Sequence, residues 1–256
     1  MKQRIDVVLV ERGLAHSRNI AAAMIMAGEV TVGQIRADKP SQMVPQNAEI
    51  MIKEKPRYVS RAGDKLASVV VPLSIHFNDK VVLDVGSSTG GFTDVALQNG
   101  ASRVICVDVG NAQLAYKLRQ DPRVTVHERT DIRNVRALNS PNSESMDQGK
   151  LLLIPQANIA MIDVSFISLH KVLSTVTDLL MPSGVIIAMM KPQFEAGKAL
   201  ADTYKGLILD ENIRQELISE FRGAVSKEFQ ILSEADSEVK GLHGNRERFF
   251  VLRPKR

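Results

Sequence analysis

The stretch Lys80-Val81-Val82-Leu83-Asp84-Val85-Gly86-Ser87-Ser88-Thr89-Gly90-Gly91-Phe92 decides the fold. Its apolar half is short and β-branched, too brief for a helix, and it stops at a glycine turn. Phe92 to Asn99 then reads as a helix closed by Gly100. The cycle repeats downstream. Arg103 to Val109 is a second apolar strand and Gln113 to Arg119 a helix. Val124 to Val126 is a third strand, Ile159 to Asp163 a fourth, Leu169 to Leu180 a helix and Val185 to Met190 a fifth strand. Asn212 to Ser226 reads as a long helix. Phe229 to Leu232 and Arg248 to Leu252 are final strands with no helix between them, so an antiparallel pairing is expected. Apolar strands joined by helices predict an α/β fold, a doubly wound, Rossmann-like sheet.

Upstream, the pattern changes. Arg4 to Arg12 carries an apolar stripe at helical spacing and stops at Gly13. Ser17 is placed to cap a second helix using Ile20, Ala21, Met24 and Ile25. Val30 to Val32 and Ala48 to Ile52 read as strands, with Ile35 to Pro40 turn-like. This predicts a small α+β unit, with Lys53-Glu54-Lys55-Pro56-Arg57 as the boundary, giving domains 1–57 and 58–256. The unit holds nine Lys and Arg against six Asp and Glu, out of a net charge of +4 for the whole chain. A basic module of this size suits a polyanionic partner. The polar stretch from Asn139 to Lys150 reads as a surface loop.

Composition excludes several classes. Of the 256 residues, 44% are hydrophobic and 24% charged, as in ordinary globular proteins. The single cysteine, Cys106, excludes an intrachain disulfide and suits a reducing cytoplasm. No apolar run is long enough to span a bilayer, so no membrane partner is expected. The five histidines show no ligand spacing, so no metal is expected. His243 is read as a loop residue.

In an open parallel sheet, ligands bind beyond the carboxyl ends of the strands. The loop Asp84, Gly86, Ser87, Ser88, Thr89, Gly90, Gly91, Phe92 lacks the Gly-x-Gly-x-x-Gly spacing of dinucleotide sites and the Gly-Lys-Ser/Thr of phosphate loops. A nucleoside ligand without pyrophosphate fits better. Asp108, 22 residues after Gly86 and followed by Val109, is placed to accept ribose hydroxyls; Asp131, followed by Ile132, is placed near an adenine amino group. Together these residues fit S-adenosylmethionine.

Four charged residues complete the pattern. Lys65 precedes the first strand, Asp163 ends the fourth, Lys191 ends the fifth and Glu247 enters the last. A lysine after six apolar residues needs a partner, and Asp163 is the expected one for Lys191. Such a set suits methyl transfer to a ribose 2′-hydroxyl, with a lysine of lowered pKa, helped by the second lysine, as base. Methylation of a base amino group would call for an Asn/Asp-Pro-Pro-aromatic motif, which is missing. Phe166 and Phe194 flank the set and offer faces for a target base; ordinary packing is the alternative.

These segments, with Tyr58 to Lys65, Glu128 to Arg133, Asp163 to Ser168, Lys191 to Gly197 and Gly244-Asn245-x-Glu247, resemble the TlyA family in order over nearly the whole chain. The resemblance implies an FtsJ-type domain with a Lys-Asp-Lys-Glu catalytic set at Lys65, Asp163, Lys191 and Glu247, and 2′-O-methylation of cytidine in ribosomal RNA. Residues 1–57 resemble the alpha-L RNA-binding domain of a ribosomal small-subunit protein, which makes Arg4, Arg18 and Lys39 expected RNA contacts; Arg61, in the 58–256 domain, is a fourth expected contact. The family label, haemolysin A, leaves a membrane-active protein as an alternative, and an inactive RNA-binding factor as another. The chain departs from the family at Ala62, where a glycine is usual, and at Lys205-Gly206-Leu207-Ile208. An alanine forced to a positive φ at 62 would strain the approach to Lys65.

Overall fold

The computed structural model describes residues 2–53, 56–138, 152–197, 203–241 and 244–255. Glu54 and Lys55 of the boundary, the 139–150 stretch and His243 lie outside them. The chain divides into two compact units, 1–56 and 57–256.

In the N-terminal unit, α1 (Ile5–Glu11) and α2 (Arg18–Met26) pack through Ile5, Val8, Leu9, Ala21 and Ile25. These positions recur at three- and four-residue spacing, which makes one face of each helix apolar. Ser17 caps α2 as expected, its hydroxyl accepting the Ile20 amide at 3.3 Å. Strands β2 (Val30–Val32), β3 (Ile35–Arg36) and β5 (Ile50–Ile52) form a small antiparallel sheet. The expected turn at Ile35 therefore begins as a short strand. Strands β1 (Lys2–Arg4) and β4 (Met43–Pro45) pair separately. Neither was visible in the sequence, because a three-residue strand carries too little alternation to read.

The larger unit is built on seven strands in the order β13-β14-β12-β11-β6-β7-β8. They are β6 (Val81–Val85), β7 (Arg103–Val107), β8 (Val124–His127), β11 (Ala157–Ile162), β12 (Leu180–Met190), β13 (Phe229–Asp236) and β14 (Arg248–Pro254). Only β14 runs against the rest, between β12 and β13. A further parallel pair, β9 (Val135–Ala137) with β10 (Leu152–Ile154), was missed in the sequence.

Alternate residues of each strand face opposite layers. Leu83, Ile105, Ile162 and Ala188 face α6 (His170–Asp178) and α8 (Glu211–Val225). Val82, Cys106, Met161 and Met189 face α3 (Arg61–Val70) and α4 (Gly91–Gln98). Cys106 is thus a core residue; its thiol is pushed up to about 12 by burial.

Strand order reverses at β6, with β7 on one side and β11 on the other. Gly86 and Asp163 leave these neighbouring strands together. Gly86 has φ +81, and a Cβ there would lie 2.5 Å from the Asp163 carbonyl oxygen. Only glycine permits that approach.

Candidate active site

The ends of β6, β7 and β11 surround a cleft of about 490 Å³. Gly86, Ser88, Asp108, Val109, Asp131, Ile132, Asp163 and Phe166 line it. An adjoining cleft, lined by Ser60, Arg61, Asp84, Ser87, Thr89, Gly91 and Phe92, shares Gly86, Ser88 and Asp163 with it. The residues expected to hold a nucleoside thus surround one depression. Gly90 is the exception, since it turns into the protein: its φ is +94, and a Cβ there would meet Leu118 and Leu114.

Asp108 ties the glycine loop to the end of β7. Its Oδ2 accepts the Ser88 amide at 2.7 Å and its Oδ1 the Gly110 amide at 2.6 Å. Each oxygen keeps a lone pair for a ligand hydroxyl. Asp131 behaves differently. It caps a short 3-10 turn and pairs with Arg133 at 2.5 Å, and this bonding holds its carboxyl below the usual range. Any ligand contact there must share the carboxylate with Arg133.

Asp84 is fully buried on the α4 side of β6. The Thr93 hydroxyl donates to its Oδ2 at 2.5 Å, while its Oδ1 has no protein partner. Burial pushes this carboxyl up to about 7.

The four charged residues form two ion pairs. Lys191 Nζ lies 2.6 Å from Asp163 Oδ1 and donates to Ser165 Oγ at 3.0 Å. Lys65 Nζ donates to Glu247 Oε1 at 2.6 Å, with side-chain exposures of 12% and 3%. Each lysine therefore has its own carboxylate. Met190 pairs with Arg248 across β12 and β14, so Lys191 and Glu247 leave neighbouring strands at the same edge.

Lys65 is carried by α3, a helix not recognised in the sequence. Ala62 lies in that helix with ordinary φ, so the feared strain is absent. The close approach is met instead by Gly91, where a Cβ would lie 2.6 Å from the Gly63 nitrogen. Ser165, two residues after Asp163, joins the site by accepting from Lys191, a role its sequence position does not signal.

Phe166 is 92% exposed and has φ +62, an unusual conformation for a bulky residue. Its ring lies 5.1 Å from that of Phe194, and Lys191 Nζ sits 5.7 Å from the Phe194 centroid.

In the N-terminal unit, Arg4 and Arg18 both bind the buried Asp6, at 2.9 and 3.0 Å. The Arg4 hydrogen bond, followed by that from Arg18, lowers the Asp6 carboxyl to about 2. Both arginines remain half exposed, and Lys39 is exposed. Arg61, in the other unit, donates to the Lys240 carbonyl at 2.5 Å. Among the described residues no group of three His, Cys, Asp or Glu is arranged to hold a metal, and no helix is long and apolar enough to cross a membrane.

A doubly wound sheet with one reversed strand, a glycine loop at its switch point and carboxylates at the strand ends defines a Rossmann-like methyltransferase fold. The FtsJ-like methyltransferase family matches residues 58–255, and the S4 domain matches residues 3–50. The 16S/23S rRNA (cytidine-2′-O)-methyltransferase TlyA of Mycobacterium tuberculosis is 34% identical over 98% of this chain and 90% of that protein. An rRNA methyltransferase candidate of Bacillus subtilis, YqxC, is 44% identical over 85% of this chain and 73% of its own. A solved structure described as a hemolysin candidate, from Streptococcus thermophilus, is 36% identical with a TM-score of 0.67, covering 99% of this chain and 89% of that one. The chain belongs to the FtsJ-like methyltransferase family, in its TlyA branch, with an S4 domain at its N-terminal end.

Proposed function

We propose that this protein methylates the ribose 2′-hydroxyl of a cytidine in ribosomal RNA, using S-adenosylmethionine. The observation that carries the reading is the two lysine–carboxylate pairs, Lys191 with Asp163 and Lys65 with Glu247, the first of which reaches the cleft through Asp163.

The cleft suits that cofactor. Asp108, Asp131 and Asp163 would complement a cationic ligand, and Val109 and Ile132 offer apolar contact for a base. The unpartnered Asp84 Oδ1 offers a further acceptor beside Gly86, Ser87, Ser88 and Thr89. The cofactor, when bound, supplies an electrophilic methyl group on a sulfonium.

This chain's residues do the rest. Lys191 is the group placed to take the proton from the 2′-hydroxyl as its oxygen becomes the nucleophile. Asp163 fixes the Lys191 side chain and balances the ammonium that forms. Lys65, held by Glu247, donates toward the developing negative charge on the ribose oxygen. Phe166 and Phe194 stack the target base, which must leave its helix to reach the cleft. Much of the acceleration comes from holding the two reactants in line.

Residues 1–57 would grip structured RNA through Arg4, Arg18 and Lys39, with Arg61 contacting it from the 58–256 domain. A ribosomal substrate places the protein in the cytoplasm. The test is transfer of labelled methyl to purified ribosomal subunits, read as an alkali-resistant linkage. Label present with wild type and absent with Lys191→Ala is the expected result. Cofactor binding without transfer to either subunit would overturn the reading in favour of an inactive RNA-binding factor.

A further inference from the structure

We propose that Arg214, on the buried face of α8, is a positioning residue for Glu247 and through it for Lys65; this rests on the methyl-transfer reading above. Arg214 occupies the apolar stripe of α8 with Leu217, Ile218, Phe221 and Val225. A charged residue there is costly to bury unless every donor is used. Its side chain is 2% exposed, and each of its three nitrogens donates to a partner. Nη2 binds Asp236, Nη1 binds Glu211 at 2.8 Å, and Nε donates to the Arg246 carbonyl at 3.0 Å.

That last bond matters most. Arg246 immediately precedes Glu247, so the arginine grips the peptide group that leads into Glu247. Asp236 extends the grip to the other side, because it also accepts Arg248 Nη1 at 2.9 Å. Arg248 is held a second time by Glu234, at 2.9 Å. Glu247's own carbonyl accepts the Ser237 amide at 3.0 Å. Its backbone is therefore clamped on both sides by groups anchored on α8 and β13. Among the described residues its carboxylate is met by Lys65 on Oε1, and Oε2 is buried without a partner. The direction in which Lys65 is held thus depends on Arg214, which does not itself touch Lys65 or the Glu247 carboxylate in the contacts described.

Arg214→Lys keeps the charge but loses the fork that joins Asp236 to the Arg246 carbonyl. The experiment measures kcat and KM for ribosomal subunits, cofactor Kd by calorimetry, and folding by circular dichroism. Arg214→Lys is expected to lower kcat about 10- to 100-fold, as loss of an outer-shell partner does, with Kd and KM within about twofold. In a Glu247→Gln background the same change is expected to cost almost nothing further, because both changes act on one carboxylate. Asp236→Asn is expected to repeat the kcat loss. Wild-type kcat in a folded Arg214→Lys protein overturns the inference, and so does an undiminished loss in the Glu247→Gln background. Loss of folding or of cofactor binding in both single variants overturns it in favour of a structural role. Absence of transfer by the wild type would sink the methyl-transfer reading itself, a result distinct from all of these.

Discussion

Lys65 and Glu247 stand 182 residues apart in the chain and meet at 2.6 Å. One lies on α3, before the first strand of the large sheet; the other enters the last. Their pairing brings opposite ends of the methyltransferase domain to the same edge as Lys191 and Asp163. An ion pair this buried leaves an uncompensated charge when one partner is removed. Glu247→Ala is expected to destabilise the domain by about 3 kcal/mol, and adding Lys65→Met to recover part of that loss. Urea denaturation of the single and double variants measures both. An additive double variant would show that the two groups are not coupled.

Lys191→Ala removes the proposed base while leaving the cleft lining in place. Methyl transfer is expected to fall by about 10²- to 10⁴-fold, the usual worth of a positioned base. Cofactor affinity, read by calorimetry, should stay within about threefold, or roughly 0.7 kcal/mol. Lost affinity in a folded variant would move Lys191 from proton transfer to cofactor binding.

Asp84 gives the large domain a pH dependence of defined sign. Its carboxyl is raised by burial to about 7, so the folded state keeps a proton that the unfolded chain releases at the ordinary carboxylate value. Stability from this group is full at acid pH, falls as pH rises through the window up to about 7, and then levels. Asp84→Asn should flatten the denaturation midpoint between pH 5 and 8 relative to wild type. An unchanged slope would show that Asp84 is ionised throughout.

Ala62 lies in the first turn of α3, where alanine is a better helix former than the glycine usual in the family. Ala62→Gly is expected to cost up to about 1 kcal/mol without raising activity. A gain in kcat on introducing glycine would show that this turn must flex during catalysis.

Arg4 and Arg18 are oriented by Asp6, and exposed Lys39 immediately precedes Pro40, whose carbonyl accepts the Asp6 amide at 3.2 Å. If these groups meet phosphates, each alanine variant should weaken RNA binding and reduce the slope of log affinity against log salt by about 1. Filter binding at several salt concentrations measures this. An unchanged slope would remove that residue from the interface.

Much of the large domain was legible locally. Five apolar runs, four of them closed by Gly86, Asp108, Asp163 and Lys191, announced the parallel sheet, because strands buried on both faces are predominantly apolar. The glycine loop and the acids after β7 and β11 followed from where such a sheet must bind ligands. Lys191 stood out as a cation closing an apolar run. The helix carrying Lys65 does leave a signal, an apolar stripe at Leu66, Val69, Val70 and Leu73, but the stripe begins only after Lys65. Arg214 did leave a signal, a charge in the apolar stripe of a long helix, but a stripe does not name the partner.

The sequence by itself determined the kind of sheet, the position of its binding loop and the identity of the charged residues near its edge, because these depend on periodicity and turn chemistry within a few residues. Tertiary structure alone decided that Lys65 met Glu247, that Asp131 was shared with Arg133, and that a buried arginine held the peptide before Glu247. Those outcomes depend on strand order and register, which bring together groups that the chain separates by up to 182 residues. Burial then made each pairing obligatory, since a charge withdrawn from water without a partner costs more than the fold can spare.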